Sequence, residues 1–320
     1  MQEHNLIFGP IPSRRLGRSL GINNIPPKIC SYSCVYCQIG RAIEMDYQRK
    51  AYYAPEQIFR EVEKKVEEAG KNNEKIDYLT FVPDGEATLD VNLGREVEML
   101  KHFDIKQAII TNSSLMDRED VRNELMKMDL VSVKVDSVLH GIWKKVDRPH
   151  KNLDLDRIKN GLQQFAKQYK GKFITETMMI DGINDNEESL KKTADFIAHL
   201  NPAVAYISIP TRPPARKNVK PADEIQVNKA YQIFAEKIEQ VELLLGHEGN
   251  AFAHSGDTKK DILSITAVHP MRDDSIQEFL DKDYQDWSVI KQLIKDGELL
   301  ETEFGGHKFY LRKFTDRQQI

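Results

Sequence analysis

The chain has 320 residues, of which 40% are hydrophobic and 30% are charged, and its formal net charge is −4. This length suits one large domain followed by a small one, and so small a net charge gives no overall attraction to nucleic acid or to an anionic membrane. The first residues contain no long apolar run or cleavage site, and no later stretch is apolar enough to span a bilayer. We therefore expect a cytoplasmic protein that acts away from membranes.

Strand-like and helix-like patterns alternate over most of the chain. Short β-rich runs predict strands at 16–22, 77–82, 107–111, 130–135, 173–180 and 203–209. Apolar residues at helical spacing predict helices at 55–68, 93–102, 118–128, 155–169, 187–200 and 223–245. Strands that alternate with helices in this way are typical of a parallel sheet covered by helices, so we expect an α/β fold.

The alternating pattern stops at residues 247–257, where Gly, Asn and Ser are frequent. We place a boundary there, between a first domain at 1–246 and a second domain at 257–320. The second stretch predicts helices at 259–266, 275–280 and 286–295, followed by strands at 299–304 and 307–313. Two adjacent glycines between these strands predict a tight hairpin. The whole order resembles a winged-helix domain, which is a small α+β fold.

A winged helix often binds nucleic acid, and its third helix then enters a groove. Residues 257–320 contain ten Lys or Arg and thirteen Asp or Glu, a net charge of −3. A domain that neutralises phosphates would carry a basic face. Three roles therefore stay open for this domain: binding of nucleic acid, recognition of a protein or peptide, and packing against the first domain.

Three cysteines, Cys30, Cys34 and Cys37, are the only ones in the chain. Their odd number disfavours a set of disulfides. Three thiolates on one short loop can hold three irons of a [4Fe–4S] cluster and leave the fourth iron open, because an ordinary cluster takes four cysteines. A zinc site completed by a histidine is the alternative, although no second Cys pair or His pair follows within reach.

The spacing Cys-x3-Cys-x2-Cys, with Tyr36 directly before the last cysteine, resembles the signature of radical S-adenosylmethionine (SAM) enzymes. The resemblance implies that the open iron binds the amino nitrogen and carboxylate of SAM, and that reduction cleaves SAM to methionine and a 5′-deoxyadenosyl radical. It also implies a partial (β/α)6 barrel with the cluster at the carboxyl ends of the strands. An electron donor such as flavodoxin or ferredoxin is then a required partner.

Residues 9–41, together with the later segments DGEATLD and TRPP, resemble a radical SAM subgroup often labelled as relatives of the wyosine (tRNA) synthetases. Those synthetases use a second cluster held by further cysteines, and this chain has no cysteine left over. The same shortage argues against methylthiotransferases and against a catalytic cysteine. One cluster and hydrogen abstraction by the deoxyadenosyl radical remain.

Two polar segments that follow predicted strands are candidates for SAM binding. Asp84, Gly85 and Glu86 resemble the family's Gly-Gly-Glu segment, whose backbone and carboxylate receive the SAM amino group; Asp84 replaces the first glycine. Gly85 permits close backbone approach. Asn112 and Ser113 follow the third strand, where small polar residues can bind ribose or the methionine carboxylate, or simply cap a helix.

The fourth and fifth strands add further candidates. If the valines of the fourth strand face the helices, then Lys134 and Asp136 point to the inner side of the sheet. We assign Lys134 to the SAM carboxylate and Asp136 to the ribose or the substrate, with a mutual ion pair as the alternative. The resemblance implies that the fifth strand, with Thr177 and Met179, lines the adenine. The face occupied by Glu176 stays open.

Loops at the predicted mouth of the barrel supply candidates for substrate contact. These candidates, together with the undecided strand residue, are Arg148, His150, Glu176 and Arg212. A basic cluster near the start of the chain, Arg14, Arg15 and Arg18, is either a solvated surface turn or a site for an acidic group of the substrate or donor.

Three functions are compatible with these patterns. The first is a radical SAM enzyme of unknown substrate, with RNA or a peptide delivered by the winged helix. The second is an iron–sulfur-sensing regulator that binds nucleic acid, and the third is a zinc-stabilised interaction protein. The Asp-Gly-Glu segment and the inward Lys134 and Asp136 favour the enzyme, because a sensor needs no SAM pocket.

Overall fold

The computed structural model describes residues 6–245, 257–268, 270–304 and 306–313. The larger part contains ten strands: β1 Ile7–Ser13, β2 Gly17–Ile22, β3 Ile29–Cys30, β4 Glu44–Met45, β5 Tyr78–Phe81, β6 Lys106–Thr111, β7 Leu130–Lys134, β8 Lys172–Met178, β9 Val204–Ser208 and β10 Val241–Leu244. Its helices are α1 Pro55–Lys71, α2 Leu93–Leu100, α3 Glu119–Leu125, α4 His140–Val146, α5 Leu155–Gln168, α6 Glu187–Leu200 and α7 Glu224–Ala235, with 3-10 turns at Ala87–Leu89 and Lys101–Phe103.

One mostly parallel sheet organises this part of the chain. Its eight strands lie in the order β1-β2-β5-β6-β7-β8-β9-β10. Every neighbouring pair from β2 to β10 is parallel, and β1 pairs antiparallel with β2. The expected α/β fold is therefore confirmed. Because parallel strands all end at the same edge, the segments after β2, β5, β6, β7 and β8 meet there.

Alternation along the strands separates two faces of the sheet. On β7, Val131 and Val133 pack with the helices in the main core. Leu130 lies on the other face, in a smaller cluster with Ile174 and Tyr206. We call that second face the inner face of the sheet. Each fully buried aliphatic side chain contributes about 1.5–3 kcal/mol relative to exposure, so the alternation fixes the register of each strand.

The helices follow the predicted apolar spacing, as α1 illustrates. Its Ile58 and Val62, one turn apart, are fully buried, and Pro55 occupies the first turn, where a missing N–H costs nothing. No helix in the described ranges is both long enough and apolar enough to cross a membrane.

The predicted long helix at 223–245 is wrong. Helix α7 ends at Ala235, and β10 then pairs parallel with β9 at the edge of the sheet. Local pattern did not reveal this change, because the apolar run at 241–245 suits a helix or a strand and pairing with β9 decides between them. The sequence patterns also missed β1 and α4. Strand β1 contains two prolines, which an edge strand tolerates.

The C-terminal part forms its own small layer. Its elements are α8 Thr258–Val268, β11 Met271–Arg272, α9 Asp273–Lys282, α10 Ser288–Lys295, β12 Leu299–Phe304 and β13 His307–Arg312. The strands form an antiparallel sheet in the order β11-β13-β12, and Phe304 pairs with His307 across the predicted hairpin. Ile262, Phe279 and Leu293 belong to its core, against which Ile11 of β1 also packs.

The predicted division at 247–257 lies almost wholly outside the described residues, so the domain bounds 1–246 and 257–320 stay a prediction. The three predicted helices and two predicted strands of the second domain each overlap an element of the structure. The short strand β11 was not predicted, because a two-residue strand has no periodicity to detect.

A buried carboxyl group on α2 gives this fold a testable pH dependence. Glu96 is fully buried beside Asn24 and Asp90. Burial, and then the charge of Asp90, raises the pKa of Glu96 to about 9 from an ordinary value of 4.5. The carboxyl therefore stays protonated at neutral pH.

We predict that Glu96→Gln stabilises the protein increasingly as the pH rises. A carboxyl whose pKa is raised on folding destabilises the native state progressively between its unfolded and folded pKa values, here from 4.5 to about 9. The variant should match the wild type near pH 4 and exceed it by about 1–3 kcal/mol near pH 8 in urea unfolding. Glu98→Gln on the same helix is the control, because Lys101 lowers the pKa of Glu98. An equal gain at both pH values for Glu96→Gln would contradict the assignment.

Candidate functional site

The three cysteines lie on one short loop at the carboxyl edge of the sheet. Cys30 ends β3, and we call residues 30–37 the cysteine loop. The Cys37 N–H donates to the Cys34 carbonyl at 3.2 Å, which closes a turn between these two thiols. The Val35 N–H donates to the Val146 carbonyl at 2.9 Å, so the end of α4 holds the middle of the loop in place. All three cysteines are half-buried.

The thiols have polar neighbours from two other loops. Asn112 Nδ2 lies 3.5 Å from Cys30 Sγ and donates to Ser31 Oγ at 2.9 Å. The Cys34 thiol lies 3.6 Å from Asp147 Oδ1. Burial, followed by the charge of Glu86, raises the pKa of Cys30 to about 12. In the metal-free chain these groups are thiols, and a bound metal would have to displace their protons.

The chemistry of this donor set, three thiols on one loop, is that of an iron–sulfur cluster with three protein ligands. The three thiols come from a single loop, each is partly accessible, and Cys30 and Cys37 lie close enough to influence each other electrostatically. Asn112 supplies an N–H toward sulfur, a kind of contact that tunes such clusters. His150, a predicted substrate contact, stacks its ring on that of Tyr47 at 4.8 Å between centroids.

The Asp-Gly-Glu segment packs directly beneath the cysteine loop. A Cβ on Gly85 would lie 2.0 Å from the Ile29 carbonyl oxygen, so only glycine fits between the two backbones. The Glu86 N–H donates to that same carbonyl at 3.1 Å, and the Lys28 N–H donates to the Asp84 carbonyl at 2.5 Å. The predicted proximity of Asp84, Gly85 and Glu86 to the cysteines is present in the structure.

Glu86 connects this segment to the end of β6. Its carboxylate accepts from Thr88 Oγ1 at 2.6 Å, from Thr111 Oγ1 at 2.6 Å and from the Asn112 N–H at 2.8 Å. Burial raises the pKa of Glu86, and these hydrogen bonds partly reverse that shift. Glu86 therefore fixes the backbone of Asn112, whose side chain reaches Cys30. In this structure the carboxylate holds three donors of the fold, and its role of receiving a SAM amino group stays a prediction.

Ser113 adopts the left-handed backbone region, with φ at 67°. Its hydroxyl donates to the Lys134 carbonyl at 2.8 Å. The run that the sequence singled out at 112–113 therefore bridges β6, β7 and the cysteine loop rather than capping a helix.

A cluster of charged side chains occupies the inner face next to the cysteine loop. Lys134 Nζ lies 3.2 Å from Glu176 Oε1 and 3.6 Å from Asp136 Oδ1. The Tyr36 hydroxyl donates to Asp136, and Lys134 Nζ lies 5.0 Å from the centre of the Tyr36 ring. Lys134 and Asp136 thus share one side of the sheet, and the mutual ion pair that the sequence left as an alternative is present.

The open question about Glu176 is answered by its contacts. Its carboxylate forms ion pairs with Lys134 and with Arg15, and it accepts from Ser208 Oγ at 2.9 Å. Burial alone would raise the pKa of Glu176, but Arg15 and Lys134 lower it to about 2. Glu176 therefore points to the inner face.

The alternation of β8 then places Thr177 and Met179 with their side chains away from Lys134. Met179 is fully buried in the helix-side core, and Thr177 Oγ1 donates to the Val135 carbonyl at 2.9 Å. Neighbouring residues of a strand face opposite sides, so these two side chains point away from the side that Glu176 faces. Only the backbone of Thr177 and Met179 is therefore left to line a ligand on that side.

The remaining candidates lie around the cysteine loop to different degrees. Arg212 Nη1 donates to Gln38 Oε1 at 2.8 Å, and the His150 N–H donates to the Ser31 carbonyl at 2.8 Å. Arg148 is exposed, with φ at 48°. The structure brings Arg212 and the backbone of His150 onto the loop, and it leaves the Arg148 side chain at the surface.

The basic cluster near the start of the chain does not act as a unit. Arg14 is exposed, and Arg18 donates to the Lys75 carbonyl at 3.2 Å near the surface. Arg15 instead turns inward to Glu176, with only 14% of its side chain exposed. Sequence patterns missed this contact because 161 positions separate the two residues. Asp147 and Ser208 were missed for the same reason.

The sequence model of the radical SAM superfamily matches residues 24–197, which is more than half of the chain and includes all three cysteines. The chain belongs to the radical SAM superfamily. Among curated relatives of this radical SAM protein, the UPF0026 protein MJ1312 of Methanocaldococcus jannaschii is 51% identical over 317 residues, which cover 98% of each chain. A protein named GTPase Obg of Brachyspira hyodysenteriae is 31% identical over 306 residues, or 94% of this chain and 44% of that protein.

Comparison with solved structures agrees with the fold of a radical SAM protein. A structure described as TYW1 with a lysine-pyruvate adduct bound has a TM-score of 0.53 at 14% identity, over 69% of this chain and 74% of the other. At that identity the likeness shows the α/β fold with its mostly parallel sheet.

We predict that Glu86→Ala destabilises the protein by about 2–4 kcal/mol in urea unfolding, because it leaves the Thr88, Thr111 and Asn112 donors without their acceptor in a buried place. The matched control is Glu67→Ala on α1, where the glutamate is exposed. A loss no larger than that of the control would show that Glu86 does not anchor this segment.

Proposed function

We propose that this chain is a radical SAM enzyme that binds one [4Fe–4S] cluster through Cys30, Cys34 and Cys37. The observation that carries the proposal is the set of three half-buried thiols on one loop, at the edge where the parallel strands end, in a chain with no fourth cysteine. Three ligands leave one iron open for SAM. When bound, the cluster supplies the electron that cleaves SAM to methionine and a 5′-deoxyadenosyl radical.

The chain's own residues would then position SAM and exclude water. Lys134 is the cation for the SAM carboxylate, and Asp136, held by Tyr36, is the acceptor for the ribose or the substrate. Gly85 allows the backbone of its segment to approach the amino group. The remaining members of the proposed SAM site are Asp84, Glu86, Asn112, Ser113 and the backbone of Thr177 and Met179.

We further propose that the sheet curves into a partial (β/α)6 barrel whose mouth holds this site, within a first domain at 1–246. The segregation of Leu130, Ile174 and Tyr206 onto an inner face supports such curvature. We propose a winged-helix-like second domain at 257–320, and its element order and three-stranded sheet support the assignment.

The substrate is proposed to give up a hydrogen atom to the deoxyadenosyl radical, and it is RNA or a peptide if the second domain delivers it. Arg212, Arg148, His150 and Glu176 are the proposed substrate contacts. Arg212 has the best support, since it reaches the cysteine loop through Gln38. A flavodoxin or ferredoxin in the cytoplasm is the proposed electron donor.

We predict that Cys34→Ala abolishes SAM cleavage while the chain stays folded. The variant removes one cluster ligand, and the loop keeps its backbone contacts with α4. Anaerobically reconstituted protein would be given SAM and dithionite, and 5′-deoxyadenosine would be quantified by chromatography together with iron and sulfide. The wild type should hold about four of each per chain. The variant Ser33→Ala, one residue earlier on the same loop, is the matched control. SAM cleavage by Cys34→Ala at the wild-type rate would contradict the cluster assignment.

We predict that Lys134→Ala weakens SAM binding at least tenfold without loss of iron, because it removes the only proposed cation for the SAM carboxylate while the thiols stay in place. Equilibrium dialysis of the reconstituted protein gives the affinity, and iron analysis gives the cluster content. Unaltered affinity would leave Lys134 as no more than the partner of Asp136 and Glu176.

The regulator alternative has its own test. If the wild type holds a cluster, does not cleave SAM and shifts DNA or RNA with a strong dependence on salt, then the sensing function is correct and the enzyme proposal is wrong.

A further inference from the structure

A chain of ion pairs runs across the inner face from one edge of the sheet to the other. Arg15 lies in the turn between β1 and β2, at the amino edge of the parallel strands, and its guanidinium pairs with Glu176 Oε2. The other oxygen of Glu176 pairs with Lys134 at 3.2 Å, and Lys134 lies 3.6 Å from Asp136. Asp136 accepts from Tyr36, the residue next to Cys37.

These side chains are shielded from water. The side chains of Arg15 and Lys134 are each 14% exposed, that of Glu176 is 9% exposed and that of Asp136 is fully buried. In such a place two unit charges interact several times more strongly than in water. The number of positive and negative charges in the set therefore decides what further charge it can accept.

The set as it stands is electrically balanced. Arg15 and Lys134 supply two positive charges, and Glu176 and Asp136 supply two negative ones. A ligand carboxylate at Lys134 would bring the total to −1, whereas without Arg15 it would bring the total to −2.

We propose that Arg15 is a positioning residue that offsets Glu176 and so leaves Lys134 able to bind a ligand carboxylate on the side facing the cysteine loop. The inference rests on the proposed function, in which that ligand is SAM. It assigns a binding role to an arginine that lies at the opposite edge of the sheet from the cysteines and that would act only through Glu176.

A purely structural role for Arg15 makes a different prediction from a charge-balancing role. If Arg15 only fills space beneath Glu176, then removing Glu176 as well cannot repair the loss. If Arg15 offsets charge, then Arg15→Gln combined with Glu176→Gln restores neutrality at the set and should restore binding. The double variant therefore separates the two explanations.

The experiment measures the SAM dissociation constant of anaerobically reconstituted protein by equilibrium dialysis without reductant, with iron content and unfolding midpoint checked for each variant. We expect Arg15→Gln to bind SAM about tenfold more weakly than the wild type. Arg15→Lys and the double variant should stay within about threefold of the wild type. Arg18→Gln, which removes a nearby arginine of β2 that bonds to the Lys75 carbonyl near the surface, should leave the SAM dissociation constant unchanged.

The possible outcomes are distinct. A cluster-loaded wild type that binds no SAM overturns the proposed function, and this inference fails with it. If the wild type binds SAM, two results overturn the inference alone. One is a SAM affinity of Arg15→Gln equal to that of the wild type, and the other is a SAM affinity of the double variant as weak as that of Arg15→Gln. If Arg15→Gln does not fold, then Glu176→Gln decides, since the set then carries an extra positive charge: tighter SAM binding supports the inference, and unchanged or weaker binding overturns it.

Discussion

The contact between the backbone of Gly85 and the carbonyl group of Ile29 sets the position of the whole site. A side chain on residue 85 would overlap that carbonyl oxygen at 2.0 Å, so the segment after β5 can support the cysteine loop only as glycine. From this contact the hydrogen bonds spread outward through Glu86 to Asn112 and then to Cys30. A loop that carries three thiols has few apolar side chains to hold it in place. Its geometry is therefore set by contacts with the ends of three parallel strands.

The second organising feature is the way in which polar groups enter the interior. The buried face of a sheet normally takes apolar side chains. The part of the inner face farther from the carboxyl edge does so, with Leu130 and Tyr206. Toward the carboxyl edge the same face carries Lys134 and Glu176, which stay charged because each has an oppositely charged neighbour. The charges lie in register across β7 and β8, where Lys134 is paired directly with Glu176.

Periodicity was sufficient to predict most of the parallel sheet, because each strand alternates between two environments and each covering helix has one apolar face. It failed at 241–245, where a short apolar run suits either element and the choice depends on pairing with β9. Alternation also placed Lys134 and Asp136 on one face. It could not place Glu176, whose orientation became clear only from its contacts with Lys134 and Ser208.

The cysteine spacing and the Asp-Gly-Glu segment predicted a common location because both follow strands of the same sheet. Arg15 could not be found in this way, since a basic turn at the amino edge gives no local sign that its side chain crosses to Glu176. The sequence singled out Glu86 as a carboxylate for SAM binding. It could not show the three donors of the fold that surround this carboxylate.

The packing of Ile11 joins the C-terminal layer to the edge strand of the large sheet. Ile11 belongs to β1, the edge strand of the large sheet, yet it packs against the core of the C-terminal layer, and α8 contacts the same strand. An edge strand covered in this way is protected from pairing with other chains. Removing the C-terminal layer would therefore expose both the Ile11 side chain and the unpaired edge of β1 to pairing with other chains.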